Sequence, residues 1–504
     1  MSHAQAPPVR PYESDVAPAA SQIDAAVQVH LRQKGLLPAN PCSDEVFLRR
    51  VYVDVIGTLP TPTEVTGFLA DTRPNKRAAV IDALLQRDEF ADYWALKWCD
   101  LLRVKSEFPI NLWPNAVQAY HRWVREAIRR NEPLDQFARE LLTTSGSNFR
   151  DPPVNFYRAV QGRDPASLAA AVALTFMGTR LDTWAPAQRA NLAVFFSRVA
   201  YKKTDEWKEE IVYLNPAPAG PLSATLPDGK TVQIPPDKDP REVFADWLLA
   251  PGNPWFARSL ANRAWYWFLG RGIVQEPDDI RPDNPPANPE LLALLAQDLQ
   301  DSHYDLRQLF RVILNSRTYQ QSCLPRSDQP EAATLFAYYP VRRLDAEVLI
   351  DALCWIGGDG ETYSSAIPEP YTFLPPSQRT ISLADGSITS EFLETFGRPA
   401  RDTGRELERN NQPTDAQRLY LLNSADVQRR IERSPRLAAM LSAAQGNRAQ
   451  IISGAYLTVL SRYPTPAEAA AADAYFQTGK EQPQQALADL AWALVNTKEF
   501  MYRH

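Results

Sequence analysis

"VYVDVIGTLPTPTEV" (residues 51–65) decides the fold, because the chain repeats its pattern near the other end as "AYLTVLSRYPTPAEA" (residues 455–469). Tyr52 matches Tyr456 and Val55 matches Val459, and each tyrosine stands nine residues before a threonine in Pro-Thr-Pro-x-Glu. That second element has a definite physical meaning. Thr61 caps a helix, Pro62 takes its first position and Glu64 reaches back to the cap; Thr465, Pro466 and Glu468 do the same. A looser third copy is "AWYWFLGRG" (residues 264–272) followed, after an insertion, by Asn288 as cap with Pro289 and Glu290.

The three copies also close alike. "LLQRDEF" (84–90), "ILNSRTY" (313–319) and "LVNTKEF" (494–500) space two aliphatic residues and a final aromatic identically, with a partial echo in "FARELLTTSGSNF" (137–149). Three endings in the same order imply one helical unit used about three times, a unit that speaks to packing rather than to chemistry.

The rest of the chain is read around these units as mainly α, two packed helical regions joined by a small β-hairpin element. The expected organisation is a disordered tail over 1–22, a helical domain over 23–204 and a Pro-rich linker with a hairpin over 205–245. A second helical domain over 246–504 carries a long loop near 357–386. Apolar spacing marks the helices, as in Val80, Leu84 and Leu85, then Trp94, Trp98 and Leu101. Asp228-Gly229 between short alternating runs marks the hairpin.

Composition narrows the function classes. With 504 residues, 44% hydrophobic and 23% charged, this is a globular composition of more than one core's length. Lys and Arg number 54 against 60 Asp and Glu, with no basic block, which argues against a nucleic-acid partner or an anionic membrane patch. No stretch is apolar enough for a transmembrane segment. The opening residues have neither the basic nor the apolar region of a signal peptide. His30, His121 and His303 are far apart, and Asp278, Asp279 and Asp283 lack calcium-loop spacing, so no metal site is expected. Cys42, Cys99, Cys323 and Cys354 contain no C-x-x-C pair and read as buried free thiols rather than two disulfides. No nucleophile elbow or P-loop occurs.

Two polar segments remain as candidate chemistry. "FGRPARDTGRELERNNQP" (396–413) offers Arg398, Arg401, Arg405, Glu406, Glu408, Arg409, Asn410 and Asn411 for an anionic or sugar-like ligand, since guanidinium forks pair with carboxylate or sulfate. "RRLDAEVLIDAL" (342–353) puts Arg343, Glu347 and Asp351 at i, i+4 and i+8, one face of a helix. The alternative for the first is a loop and helix start held by ion pairs, and for the second a solvated or interdomain salt-bridge stripe. A pocket requires the two segments to converge. The tryptophans at 94, 98, 113 and 123 read as core aromatics in preference to sugar-stacking platforms.

The motifs "FLRRVYVDVIGTLPTPTEVTGFLAD" and "YWALKWCDLLR" resemble the planctomycete-type cytochrome c domain. The stretch beginning "NPWFARSLANRAWYWFLGRG", with "RRLDAEVLIDAL" and residues 396–424, resembles the planctomycete-specific domain that follows it. The resemblance spans about residues 23–504 and implies an exported protein of the periplasm or cell surface, in a family often encoded beside sulfatase-like proteins. Many members carry Cys-x-x-Cys-His after the segment matching "GTRLD"; here Asp182 is followed by Thr183 and Trp184. Covalent haem needs those thiols and an axial imidazole, so no cofactor is expected, and a short turn is expected at that point. The family's Ser-His-Pro is Ala287-Asn288-Pro289 here, which keeps the cap and loses the imidazole.

The leading expectation is a haem-less, non-catalytic binding or scaffolding protein of the cell envelope that docks a partner protein or a glycan. The alternatives are an enzyme acting on carbohydrate or sulfated sugar and, last, an electron-transfer partner of a cytochrome.

Overall fold

The computed structural model describes residues 11–216, 220–478 and 482–504. The architecture is mainly α-helical, with small antiparallel sheets of two or three strands.

The paired repeats fold as their caps dictate. The helix Asp44–Ile56 starts at Ser43 and stops on Gly57, whose φ of +62° favours glycine. A Cβ there would also lie 2.7 Å from the Tyr93 ring. Thr61 then opens Pro62–Ala70 with a reciprocal capping box: its Oγ1 accepts from the Glu64 N–H at 3.2 Å, and the Glu64 carboxylate accepts from the Thr61 N–H at 2.8 Å. Thr465 and Glu468 repeat this at 3.3 and 2.7 Å ahead of Pro466–Gln477. In the third copy Asn288 caps Pro289–Asp301 at 2.9 Å, but Glu290 turns to His30 at 3.4 Å instead of reaching back. The closing aromatics Phe90, Tyr319 and Phe500 are all fully buried, whereas Phe149 of the partial echo is half-buried.

The hairpin forms where expected, Leu222–Thr225 against Thr231–Ile234, with Asp228 and Gly229 in its turn. A second sheet was not anticipated. Glu210–Leu214 pairs with both Val199–Lys203 and Gly146–Ser147, so the stretch expected as linker is partly tied to the N-terminal helical region. Part of the expected disordered tail is also placed. Ser43 Oγ donates to the Pro11 carbonyl at 2.8 Å, and the Ser14 N–H donates to the Pro41 carbonyl at 2.8 Å. Residues 1–10 of that tail lie outside the described residues. Beyond Gly357 the chain runs without helix or strand to a 3-10 turn at Thr380–Ser382. A third sheet, Arg342–Arg343 with Tyr502–Arg503, brings the last residues back to the centre.

Apolar packing is continuous across both helical regions. Its hinge is Trp94 on the helix Asp88–Leu101, whose ring centroid lies 5.1 Å from Trp267, 5.7 Å from Phe268 and 4.4 Å from Phe310. The Trp94 indole N–H donates to the Val55 carbonyl at 2.9 Å, satisfying its polar end. Trp94 and Trp98 are thus core residues, as read from their spacing. Trp113 differs: it forms a ring cluster with half-exposed Trp207 and Tyr371, at 5.0 and 5.6 Å. The four cysteines are free thiols.

Candidate polar cleft

Directly above Trp94 and Trp267 lies a cleft of about 470 Å³. The Asp88–Leu101 helix contributes Tyr93 and Lys97 to its lining, and a strap of chain over 406–413 contributes Glu406, Arg409 and Asn411. The Arg342–Arg343 strand and its partner Tyr502–Arg503 form the floor's rim.

Asp345 is the hub. It occupies the N-cap of the helix Ala346–Gly357 but makes no cap bond there, so its carboxylate is free to turn into the cleft. It accepts from Lys97 Nζ at 2.7 Å, Tyr93 Oη at 2.8 Å, an Arg503 NH2 at 3.1 Å and Asn411 Nδ2 at 2.6 Å. Burial alone would raise its pKa, but Lys97, Arg503 and Arg409 together hold it well below the ordinary carboxylate value. The same burial lowers the pKa of Lys97, with Arg409 adding to the effect. Asp54 accepts from Tyr319 Oη at 2.9 Å and Tyr339 Oη at 3.2 Å, and pairs with Arg503 Nε at 2.9 Å. Arg409 is clamped by Glu347 at 2.6 Å and Asp100 at 2.6 Å, and Asp100 also takes Arg401 at 2.8 Å.

Glu406 stands apart from this pattern. Each of those other carboxylates meets a cation within 3.1 Å, whereas the nearest cation to Glu406 is Arg263 Nε at 4.0 Å. Arg263 is committed elsewhere, to Asp278 at 2.8 Å and to the carbonyls of Thr175 and Leu174. Glu406 accepts instead from the Trp267 indole N–H at 2.8 Å, and its own backbone N–H donates to Asp278 at 2.8 Å. Burial and then the charge of Asp278 push its pKa up to about 7, against Arg263, Lys97 and the indole bond.

The two candidate segments therefore converge, though not residue for residue. Arg343, Glu406, Arg409 and Asn411 line the cleft. Arg343 belongs to the strand before the helix and not to the helix face expected for it, because Asp345 takes the cap and the helix begins at Ala346. Its guanidinium donates to the carbonyls of Phe396 at 2.6 Å and Asn410 at 2.8 Å, anchoring the strap. Glu347 and Arg401 support the cleft from behind through Arg409 and Asp100. Three others hold the fold elsewhere. Asp351 accepts from the Thr380 and Ile381 N–H groups at 2.7 and 3.1 Å. Arg398 donates to the carbonyls of Ile388 and Gly386. Glu408 accepts from the Asp402 and Thr403 N–H groups at 3.1 and 3.0 Å. Neither Glu347 nor Asp351 is a solvated stripe; both are buried.

Sequence reasoning passed over Lys97, Asp345, Asp54, Arg342 and Arg503. The one available signal was a charge inside an otherwise apolar helix, as with Lys97 and Asp100 in "YWALKWCDLLR". Nothing local pointed to Arg503.

The segment 178–184 folds as a turn: Gly178 has φ +62° and Leu181–Thr183 is a 3-10 turn that Trp184 closes. It contains no cysteine or histidine, so its side chains supply neither thioether attachment nor an axial haem ligand, and they do not fit a c-type haem. Asp278 and Asp279 face arginines, Arg263 at 2.8 Å and Arg180 at 2.9 Å.

Comparison with protein families matches residues 22–191 to PSCyt2, a protein of unknown function (DUF1549), and residues 240–476 to PSD1, a protein of unknown function (DUF1553). Neither the curated proteins nor the solved structures return a match. Tyr93 and Lys97 lie in the first matched region, Glu406 and Arg409 in the second, and Arg503 beyond both. In its order of domains the chain belongs to the planctomycete-type cytochrome c and planctomycete-specific domain pair, both domains being of unknown function.

Proposed function

We propose that the cleft binds a hydroxyl-rich anionic ligand, a sugar acid or sulfated sugar, and that the protein works as a haem-less binding protein. The observation that carries this reading is the lining of the cleft. Five cationic side chains (Lys97, Arg342, Arg343, Arg409, Arg503) face three carboxyls (Asp54, Asp345, Glu406), alongside Asn411 and the rings of Tyr93, Tyr266 and Trp267. Cationic excess suits a carboxylate or sulfate, rings suit the apolar face of a sugar, and amide and carboxyl oxygens suit its hydroxyls. An exported, cell-envelope setting is part of the proposal and rests on the family likeness alone. No helix among the described residues is long and apolar enough to cross a membrane.

Calorimetric titration with glucuronate, galacturonate oligomers and glucose 6-sulfate, beside neutral glucose, tests the reading. The charged sugars are expected to bind at least about tenfold more tightly than glucose, and R342Q to weaken only the charged ones. Equal affinity for charged and neutral sugars, or no binding of either, overturns it.

A second reading, catalysis on such a sugar, is favoured by Glu406. A carboxyl titrating near neutrality in a cleft is suited to giving and taking a proton. Release of reducing ends or of unsaturated sugar products from acidic polysaccharides, lost in E406Q, would support it; wild-type protein without turnover on such substrates removes it.

A further inference from the structure

The segment 402–405, which leads into the strap of the polar cleft, borders a second hollow. Asp402, Thr403 and Arg405 border a cleft of about 460 Å³ that reaches the 178–184 turn through Arg180, Leu181 and Asp182. In its wall is Arg103, 3% exposed and without a carboxylate at ion-pair distance among the described residues. Its guanidinium donates to the carbonyls of Ala159 at 3.2 Å and Leu101 at 3.3 Å and lies over the Phe156 ring at 5.5 Å; Glu408 acts on it only from beyond ion-pair distance, and its second terminal nitrogen has no hydrogen-bond partner among the described residues. The backbone just ahead of the strap passes close to it: Gly404 has φ +72°, and a Cβ there would lie 2.5 Å from an Arg103 nitrogen.

In the polar cleft Arg409 and Arg503 each meet carboxylates at 3.1 Å or less, whereas Arg343, like Arg103, is held by backbone carbonyls. A buried cation left without a counter-charge is costly, and an anion entering from a cavity it lines relieves that cost. Two more guanidiniums border the same hollow. Arg405 is exposed with no ion-pair partner among the described residues, and Arg180, paired with Asp279 at 2.9 Å, keeps a buried Nε without a partner. Against them stand exposed Asp182 and half-buried Asp402, the latter neutralised by Lys105 at 2.7 Å. Val160, Leu174 and Leu181 supply apolar surface beside these charges.

We propose that this second cleft is a binding site for a small organic anion, a carboxylate or sulfate carried on an apolar body. Arg103 is its buried cation and Arg405 its exposed clamp. The volume lies within the range of small-molecule sites, about 300–1,000 Å³. The site is separate from the polar cleft and does not depend on what that cleft binds.

Titration of the full chain with hexanoate, hexyl sulfate and the neutral hexanamide tests the proposal. Both anions are expected to bind, with hexanamide at least about tenfold weaker. R405A, on an exposed residue, is expected to weaken the anions about tenfold without changing the thermal midpoint, and R180M to do so to a similar degree. R342Q in the polar cleft is expected to leave the binding that R405A weakens unchanged. R103M is read only where its unfolding transition stays intact, and there it should abolish the preference for anion over amide. Equal binding of amide and anions, absence of binding by wild-type protein, or loss of binding in R342Q but not in R405A each overturns it.

Discussion

At the scale of single residues, Glu406 and Asp345 show how neighbours decide what a carboxyl does. Both are shielded from water, yet Asp345 sits among cations and Glu406 beside Asp278. Glu406, with its pKa raised to about 7, binds a proton in the folded state that the unfolded chain releases above pH 4.5. Stability therefore falls as pH rises from about 4.5 to 7, by about 3 kcal/mol in total if the whole shift is realised. E406Q removes that titration while keeping an acceptor for the Trp267 indole. Denaturation at pH 5 and pH 8 should show E406Q gaining on wild type by up to about 3 kcal/mol at the higher pH. A pH-independent difference between the two proteins would refute the raised pKa. The opposite outcome is expected for D345A, which strands Lys97 in the interior and leaves Arg503 with Asp54 alone. A loss of about 3–5 kcal/mol is expected in urea denaturation, because removing one partner leaves buried charge uncompensated.

At the scale of elements, the reading of the sequence was most secure where the signal is local. Thr61 with Glu64 and Thr465 with Glu468 announce their helices because a capping box needs only residues three apart. The turn at Leu181–Thr183 was expected on other grounds, from the family's haem motif that is lacking there. The helix face drawn through Arg343 was misplaced because periodicity does not reveal that the helix begins only after its N-cap at Asp345, two residues beyond Arg343. The sheet built on Glu210–Leu214 was missed because its partners at 146–147 and 199–203 arrive from a distance. The caps themselves are open to test. T61A and T465A should each lower stability by about 1 kcal/mol, read from the denaturation midpoint at constant m-value. Should both be neutral, the paired repeats owe their shape to packing and not to their caps.

At the scale of the whole molecule, the cleft exists only because remote stretches meet. Lys97 and Asp345 are 248 positions apart and Asp100 and Arg401 are 301 apart, so no local pattern could have announced them. The same contacts bind the two helical regions into one cooperative body. Arg49 donates to the carbonyls of Val459 and Phe500 at 3.0 Å each, and Arg50 to that of Tyr319 at 2.5 Å. Beneath them Trp94 of the first region is packed on Trp267, Phe268 and Phe310 of the second. Separating the regions would expose these rings and strand Asp54, Asp100, Arg49 and Arg50 without their partners, each a large penalty in the isolated piece. The expected result is a single calorimetric transition for the full chain, with a van't Hoff enthalpy equal to the calorimetric one. Residues 11–204 and 240–504 expressed apart should lack cooperative unfolding, and mixing them should restore it together with the cleft's ligand binding. Two resolved transitions in the full chain, or an N-terminal piece that unfolds cooperatively alone, would mean that the interface is an embellishment on two finished domains. The cleft would then be able to open without unfolding either of them.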